Sequence, residues 1–283
     1  MSIYVSARVV RVIIGTVVMG TLLVPAFSES AAAAGRSAPV APIPAFQVDP
    51  GHQAPTPNFV HRSAPTGSSA TDYFYNWSGY AVQAGSPFTD VSTTYIQPAV
   101  TCPVANAYTV FWVGFDGFTN GTVEQDGTLA YCNGTTPEYQ SWWEMYPTNN
   151  INPIFTVAPG DKITATVTYK KGVYKMTVKD KTNGQHFIEK QTCAANLTCS
   201  RDSAEWIVER PGYGGFNYAP LADWGTMNVP GDKASDGGRK EPISVFTSTA
   251  IDMVNLADSY YLAQVGGLNT AGNSFPDTWA NSQ

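Results

Sequence analysis

Short runs of alternating apolar and polar residues fill most of the chain, and no stretch holds the 3.6-residue period of an amphipathic helix. A period of two marks a strand with one face buried. It predicts strands over residues 73–82, 91–96, 108–116, 122–131, 139–146, 162–169, 173–180, 186–190, 204–209 and 243–249. Lys171-Gly172 and Lys181-Thr182-Asn183-Gly184 fall between such runs and are hairpin signals. Many short strands, an aromatic content of 12% and frequent turn residues predict an all-β domain. Its expected architecture is two packed antiparallel sheets, with one concave face left open.

The same alternation sorts chemistry by face, because successive strand side chains point to opposite sides. In WVGFDG (112–117), Trp112, Gly114 and Asp116 share one face and Val113 and Phe115 the other. In WWEMYP (142–147), Trp142, Glu144 and Tyr146 lie opposite Trp143 and Met145. AEWIVE (204–209) sets Glu205 and Glu209 on one face with Ile207 between them. A solvated strand face seldom combines Trp, Tyr and acids in this way, whereas a groove that binds sugar or peptide often does.

The N-terminal quarter changes the picture. Residues 1–34 combine Arg8 and Arg11 with an apolar run and then small residues, the pattern of a secretory signal. Residues 35–70 are rich in Pro, Ala and Ser and carry more base than acid, a composition that builds no core. They are expected to be a linker or a pro-segment. Residues 71–283 suit a single domain. Twelve of the 16 Lys/Arg and 20 of the 22 Asp/Glu fall there, so this part carries a net charge of about −8. An acidic body excludes the basic surface that nucleic-acid binding needs. Four cysteines, an even number in an exported chain, predict two disulfides. Three pairings are open, and Cys102–Cys132 with Cys193–Cys199 is favoured because each joins sequence neighbours. No CxxC occurs, so no metal is expected.

The residue inventory narrows the mechanism. His186 is the only histidine after Thr71, it has no nucleophile motif beside it, and there is no GxSxG. FDG and QDG are distant echoes of aspartic-protease loops, and no phosphate loop or dinucleotide fingerprint occurs. Carboxylates remain: Asp116, Glu144, Glu205 and Glu209, with Gln125 and Gln140 as neutral partners. They permit glycoside hydrolysis by paired carboxyls, or peptide hydrolysis by one general base with a donor at the carbonyl oxygen. Periodicity does not choose between the two.

Five tracts in order resemble the glutamic peptidases, or eqolisins: NWSGY (76–80), WVGFDG (112–117), VEQDG (123–127), WWEMYP (142–147) and AEWIVE (204–209). The resemblance spans about residues 76–223. It implies a secreted acid endopeptidase on a lectin-like β-sandwich jelly roll, made as a precursor, insensitive to pepstatin and without cofactor. By position, Gln125 and Glu209 match the family's catalytic pair, and Trp77, Trp112, Asp116, Trp142, Glu144 and Tyr146 match residues that line or support the site. Its implied partners are protein or peptide substrates, with no nucleic acid and no membrane after signal removal; a monomer is expected. Two positions depart from the common fungal pattern: Asp126 follows Gln125, and Arg210-Pro211 follows Glu209. Both are expected to bear on substrate preference and pH optimum. The bland alternatives are an exposed Glu209 paired with Arg210, a polar turn residue at Gln125, a structural Glu205, and tryptophans that are simply core. A β-glucan-type glycosidase or a carbohydrate-binding lectin on the same sandwich are the competing functions.

Overall fold

The computed structural model describes Gly51 and residues 71–283. The expected signal (1–34) and the rest of the 35–70 segment lie outside the described residues. All described residues fall in one unit, Ser37–Gln283. Seventeen strands form there: β1 (Thr71–Phe74), β2 (Trp77–Gln83), β3 (Asp90–Ile96), β4 (Tyr108–Phe115), β5 (Val123–Asn133), β6 (Thr136–Tyr146), β7 (Asn152–Thr156), β8 (Lys162–Lys170), β9 (Val173–Asp180), β10 (His186–Gln191), β11 (Ser203–Glu209), β12 (Thr226–Pro230), β13 (Lys233–Ser235), β14 (Glu241–Pro242), β15 (Thr247–Val254), β16 (Tyr261–Val265) and β17 (Ser274–Trp279). One 3-10 turn, Ile243–Val245, is the only helical element among the described residues.

The larger sheet runs β12-β17-β16-β15-β2-β11-β4-β5-β6-β7, and the smaller runs β10-β9-β8-β3-β13-β14. Pairing is antiparallel except for β1, which joins β15 in parallel. The β-sandwich expected from the alternation is the observed fold, and the Lys171-Gly172 turn joins β8 to β9 with both residues at positive φ.

Two apolar clusters flank the larger sheet. Between the sheets, Phe111, Val113, Phe115, Trp206 and Val208 pack on Ile163, Val167, Tyr174 and Met176. On the opposite face, Trp77, Val110, Trp112, Leu129, Trp142 and Ile207 form a second cluster. Strand alternation explains the division: β4 sends Phe111, Val113 and Phe115 inward and Val110 and Trp112 outward. Each buried large side chain stabilises the fold by roughly 1.5–3 kcal/mol. An all-β sheet with a second aromatic face is thus built for something to lie on that face.

Several boundaries differ from the sequence expectation. The strand expected over 73–82 is two strands. Asn76 is buried at the break, and its carbonyl accepts the Arg210 N–H at 2.9 Å, freeing β1 to pair elsewhere. The strand expected over 243–249 starts only at Thr247, because the Phe246 N–H turns back to the Ile243 carbonyl. Residues 266–283 read in the sequence as a late strand and a loose tail; the strand is β17, and the tail after it is tied down by Ala280 N–H to Leu262 O and Leu221 N–H to Ser282 O, both 2.8 Å. Both disulfides form as favoured, Cys102–Cys132 and Cys193–Cys199. The first staples the loop before β4 to the end of β5 and restricts the unfolded chain.

Candidate active site

Four adjacent strands, β11-β4-β5-β6, carry the sequence-selected residues onto the second aromatic face. Gln125 on β5 stands opposite Glu144 on β6, and its side-chain Nε2 donates to Glu144 Oε2 at 3.1 Å. On β11, Glu209 pairs with Val110 of β4 on one side and with Trp77 of β2 on the other. Glu209 Oε2 accepts the Trp112 indole N–H at 2.9 Å. Trp77 packs edge-on against Trp112, with ring centroids 4.9 Å apart. Gln125, Glu144 and Glu209 are fully buried.

Trp112 connects these two pairs. Its row holds Gly127 and Ile207, while Gln125 lies in the neighbouring row with Gly114 and Glu205. A Cβ on Gly114 would sit 3.0 Å from Trp112 Cζ3 and 3.1 Å from Gln125 Cβ. The indole therefore lies over Gly114, with its six-membered edge beside Gln125 and its N–H on Glu209. Any side chain at 114 would displace the ring. Gly127 is required for a different reason: a Cβ there would fall 1.9 Å from the Phe111 carbonyl oxygen, so the two strands could not approach.

The other predicted residues are placed as follows. Trp142 is buried in the same aromatic cluster, and Tyr146 packs partly exposed against it. Asp116 does not line the wall with Trp112, as simple alternation predicts. It lies just past β4 with φ of 69°, where its carboxylate accepts from Asn120 Nδ2 at 2.8 Å and from the Arg201 and Asp202 amides at 2.8 and 3.0 Å. It thus ties the turn after β4 to the segment that enters β11. Glu205 is level with Gln125 in register yet fully buried, and burial pushes its carboxyl well above the ordinary range. Glu124 was not singled out by the sequence. It points opposite to Gln125, and burial together with the adjacent Asp116 raises its pKa strongly. The alternation within VEQDG already placed it inward, and the missing signal was its long-range neighbour.

A family model described as Peptidase A4 family matches residues 75–270. The chain belongs to this family of glutamic peptidases. Solved structures agree on the fold. Scytalido-glutamic peptidase, crystallised with a transition state analog inhibitor, aligns with a TM-score of 0.63 at 21% identity, over 73% of this chain and 98% of that one. SCP-B, an eqolisin solved in a complex with the tripeptide Ala-Ile-His, gives 0.60 at 20% identity over 73% and 98%. Aspergilloglutamic peptidase from Aspergillus niger gives 0.54 at 25% identity over 62% and 99%. A search of curated sequences found no match. The protein is accordingly a hydrolase of peptide bonds.

The two departures of this glutamic peptidase from the common pattern make their observed contacts outside the Gln125–Glu209 pair. Asp126 projects between the sheets and accepts the Thr166 and Thr177 amides at 3.0 and 2.5 Å, which links β5 to β8 and β9. Its role is to join the sheets, so the expected influence on substrate preference has no contact to act through. Arg210 places its guanidinium 4.6 Å over the Tyr218 ring. The bland alternative of a Glu209–Arg210 ion pair is absent among the described residues.

Proposed function

We propose that the protein is an exported acid endopeptidase in which Glu209 and Gln125 activate water directly. The observation that carries this reading is the Trp112 indole, which donates to Glu209 at one end and reaches over Gly114, the strand neighbour of Gln125, at the other. Ionised Glu209 takes a proton from a water held between the two side chains. The water oxygen attacks the scissile carbonyl carbon, and the negative charge that develops on the carbonyl oxygen accepts a hydrogen bond from the Gln125 amide. Glu209 then delivers its proton to the departing nitrogen, the C–N bond breaks, and a carboxylic acid and an amine leave. Glu144 accepts one Nε2 hydrogen of Gln125 and so fixes which end of the amide is the donor that serves the oxyanion. A preorganised oxyanion donor contributes roughly 3–4 kcal/mol to the barrier, and a positioned acid–base about 10²–10⁴-fold in rate. No paired Asp-Thr-Gly loops exist for pepstatin to bridge.

Two features support export as a precursor. The disulfides suit an oxidising compartment. Gly51, within the 35–70 segment, donates its N–H to the Gly117 carbonyl at 3.2 Å, and a Cβ there would touch the rings of Phe74 and Trp77. The segment around Gly51 carries more base than acid, and acid weakens its attraction to the acidic domain. Incubating the full chain at pH 4 is expected to remove the N-terminal segment by mass. The shortened protein then cleaves casein at pH 3–5 in the presence of pepstatin. An unchanged mass would make the segment a linker, and a processed protein inert on casein would overturn the acid-endopeptidase reading.

A further inference from the structure

Beside the Glu209 end of the groove lies a cavity of about 380 Å³, lined by Arg210, Phe216, Tyr218, Ala219, Asn255 and Leu256 among others. Ala219 belongs at once to this lining and to the aromatic cluster of the groove, so one residue separates the two spaces. Arg210 is 5% exposed, yet among the described residues its guanidinium makes no ion pair and no hydrogen bond, and its Nε is buried without a partner. The Tyr218 ring lies beneath it, 4.6 Å from the guanidinium carbon. Burying a cation this way costs several kcal/mol unless a counter-charge arrives. Burial lowers its pKa only to about 10, so it stays charged throughout the acidic and neutral range. The main-chain oxygen of Gln283, also in the lining, is engaged by the Tyr260 hydroxyl.

We propose that this cavity is a carboxylate-binding subsite, in which Arg210 receives an ionised carboxylate of a peptide lying in the groove. The inference rests on the peptidase reading for the source of the ligand, but not for its chemistry. A planar guanidinium with a free edge offers parallel N–H donors that match the two oxygens of a carboxylate. The phenol ring of Tyr218 holds the fork flat, and Phe216, 59% exposed at the mouth, offers an apolar rim for the peptide stem. Arg210 immediately follows Glu209, and its N–H is fixed to the Asn76 carbonyl beside Trp77. The subsite therefore adjoins the end of β11 that carries Glu209. It would give the enzyme a preference for substrates with an acidic residue, or a free C-terminus, on that side.

The test compares kcat/KM at pH 5 for peptides that differ only by Glu or Gln at each position flanking the cleaved bond, all C-terminally amidated. A second pair differs only by free acid or amide at the C-terminus. The wild type is expected to favour the charged member at one position by about 10- to 100-fold, the worth of a hydrogen bond to a charged group. A Glu/Gln preference assigns the side chain as source; an acid/amide preference assigns the C-terminus. Arg210→Met is expected to abolish the preference and Arg210→Lys to retain part of it, with thermal unfolding checking that both variants fold. A wild type without preference, or one that Arg210→Met leaves intact, overturns the proposal. If no peptide is cleaved at all, the peptidase reading fails separately. The subsite is then judged by calorimetric titration of the same peptides into wild type and Arg210→Met, where equal affinities overturn it.

Discussion

Glu144 is the residue whose role is most sharply defined by its contact. A carboxylate accepts only, so it holds the nitrogen end of the Gln125 amide towards itself. Glu144→Gln offers both a donor and an acceptor, and the two amides can then pair in either orientation. The expected result is a loss of about 10- to 100-fold in kcat with little change in KM, as for one charge-assisted hydrogen bond. Added to Gln125→Ala, the same substitution is expected to cost nothing further, because the group it orients is gone. Glu205 makes the contrasting case. Burial already keeps it well above the carboxylate range, so Glu205→Gln is expected to preserve casein cleavage at pH 4. At this scale the sequence was informative about which residue types share a face. It marked Arg210 only as a departure beside Glu209 and passed over Glu124, because the partners of both arrive from loops more than five residues away.

Among the elements, β5 carries the division of labour. Its odd positions Gln125, Gly127 and Leu129 face the groove, and its even positions Glu124, Asp126 and Thr128 face the second sheet. Asp126 is the acceptor for two amides of β8 and β9, so Asp126→Ala orphans both. Each buried unsatisfied amide costs about 1–3 kcal/mol. Urea unfolding is expected to show that loss as a lower midpoint, while the folded variant keeps the substrate preference of the wild type; a changed preference would restore Asp126 to the site. Strands with clear alternation, such as β3 and β8, were legible from the sequence. The short strands β12, β13, β14 and β16 were not, because a few residues carry too little period. The break at Tyr75-Asn76 and the 3-10 turn at Ile243–Val245 depend on distant hydrogen bonds that no local pattern encodes.

The whole molecule is a store of buried carboxyl groups. Burial raises the pKa of Asp116, Glu124, Asp126, Glu205 and Asp232, and lifts Asp277 to about 8. In the unfolded chain these groups titrate near ~4. Between that value and the folded values the native state binds more protons than the unfolded state. Stability is therefore greatest at acid pH and falls as pH rises, with the Asp277 contribution lost up to about 8. The net negative charge of the domain acts in the same direction. The melting temperature is expected to be higher at pH 4 than at pH 8, each lost kcal/mol costing roughly 2–4 °C. Asp277→Asn, which keeps an acceptor for the Ser78 hydroxyl, is expected to flatten that slope. A melting temperature that rises towards neutral pH would contradict this ledger of buried acids. The acid bias was only faintly legible in the low charge content, because burial of particular acids is a property of the packed sandwich.

The central claim is that Glu209 and Gln125 work as one unit on a single water. The most direct measurement is kcat on one peptide at pH 4, with pepstatin present, for wild type, Glu209→Gln, Gln125→Ala and the double variant. Each single substitution is expected to lower kcat by at least about 10²-fold, and the double to fall no further than the weaker single, with all four proteins folded. Retention of activity by Glu209→Gln, or independent and multiplicative losses, would contradict the account.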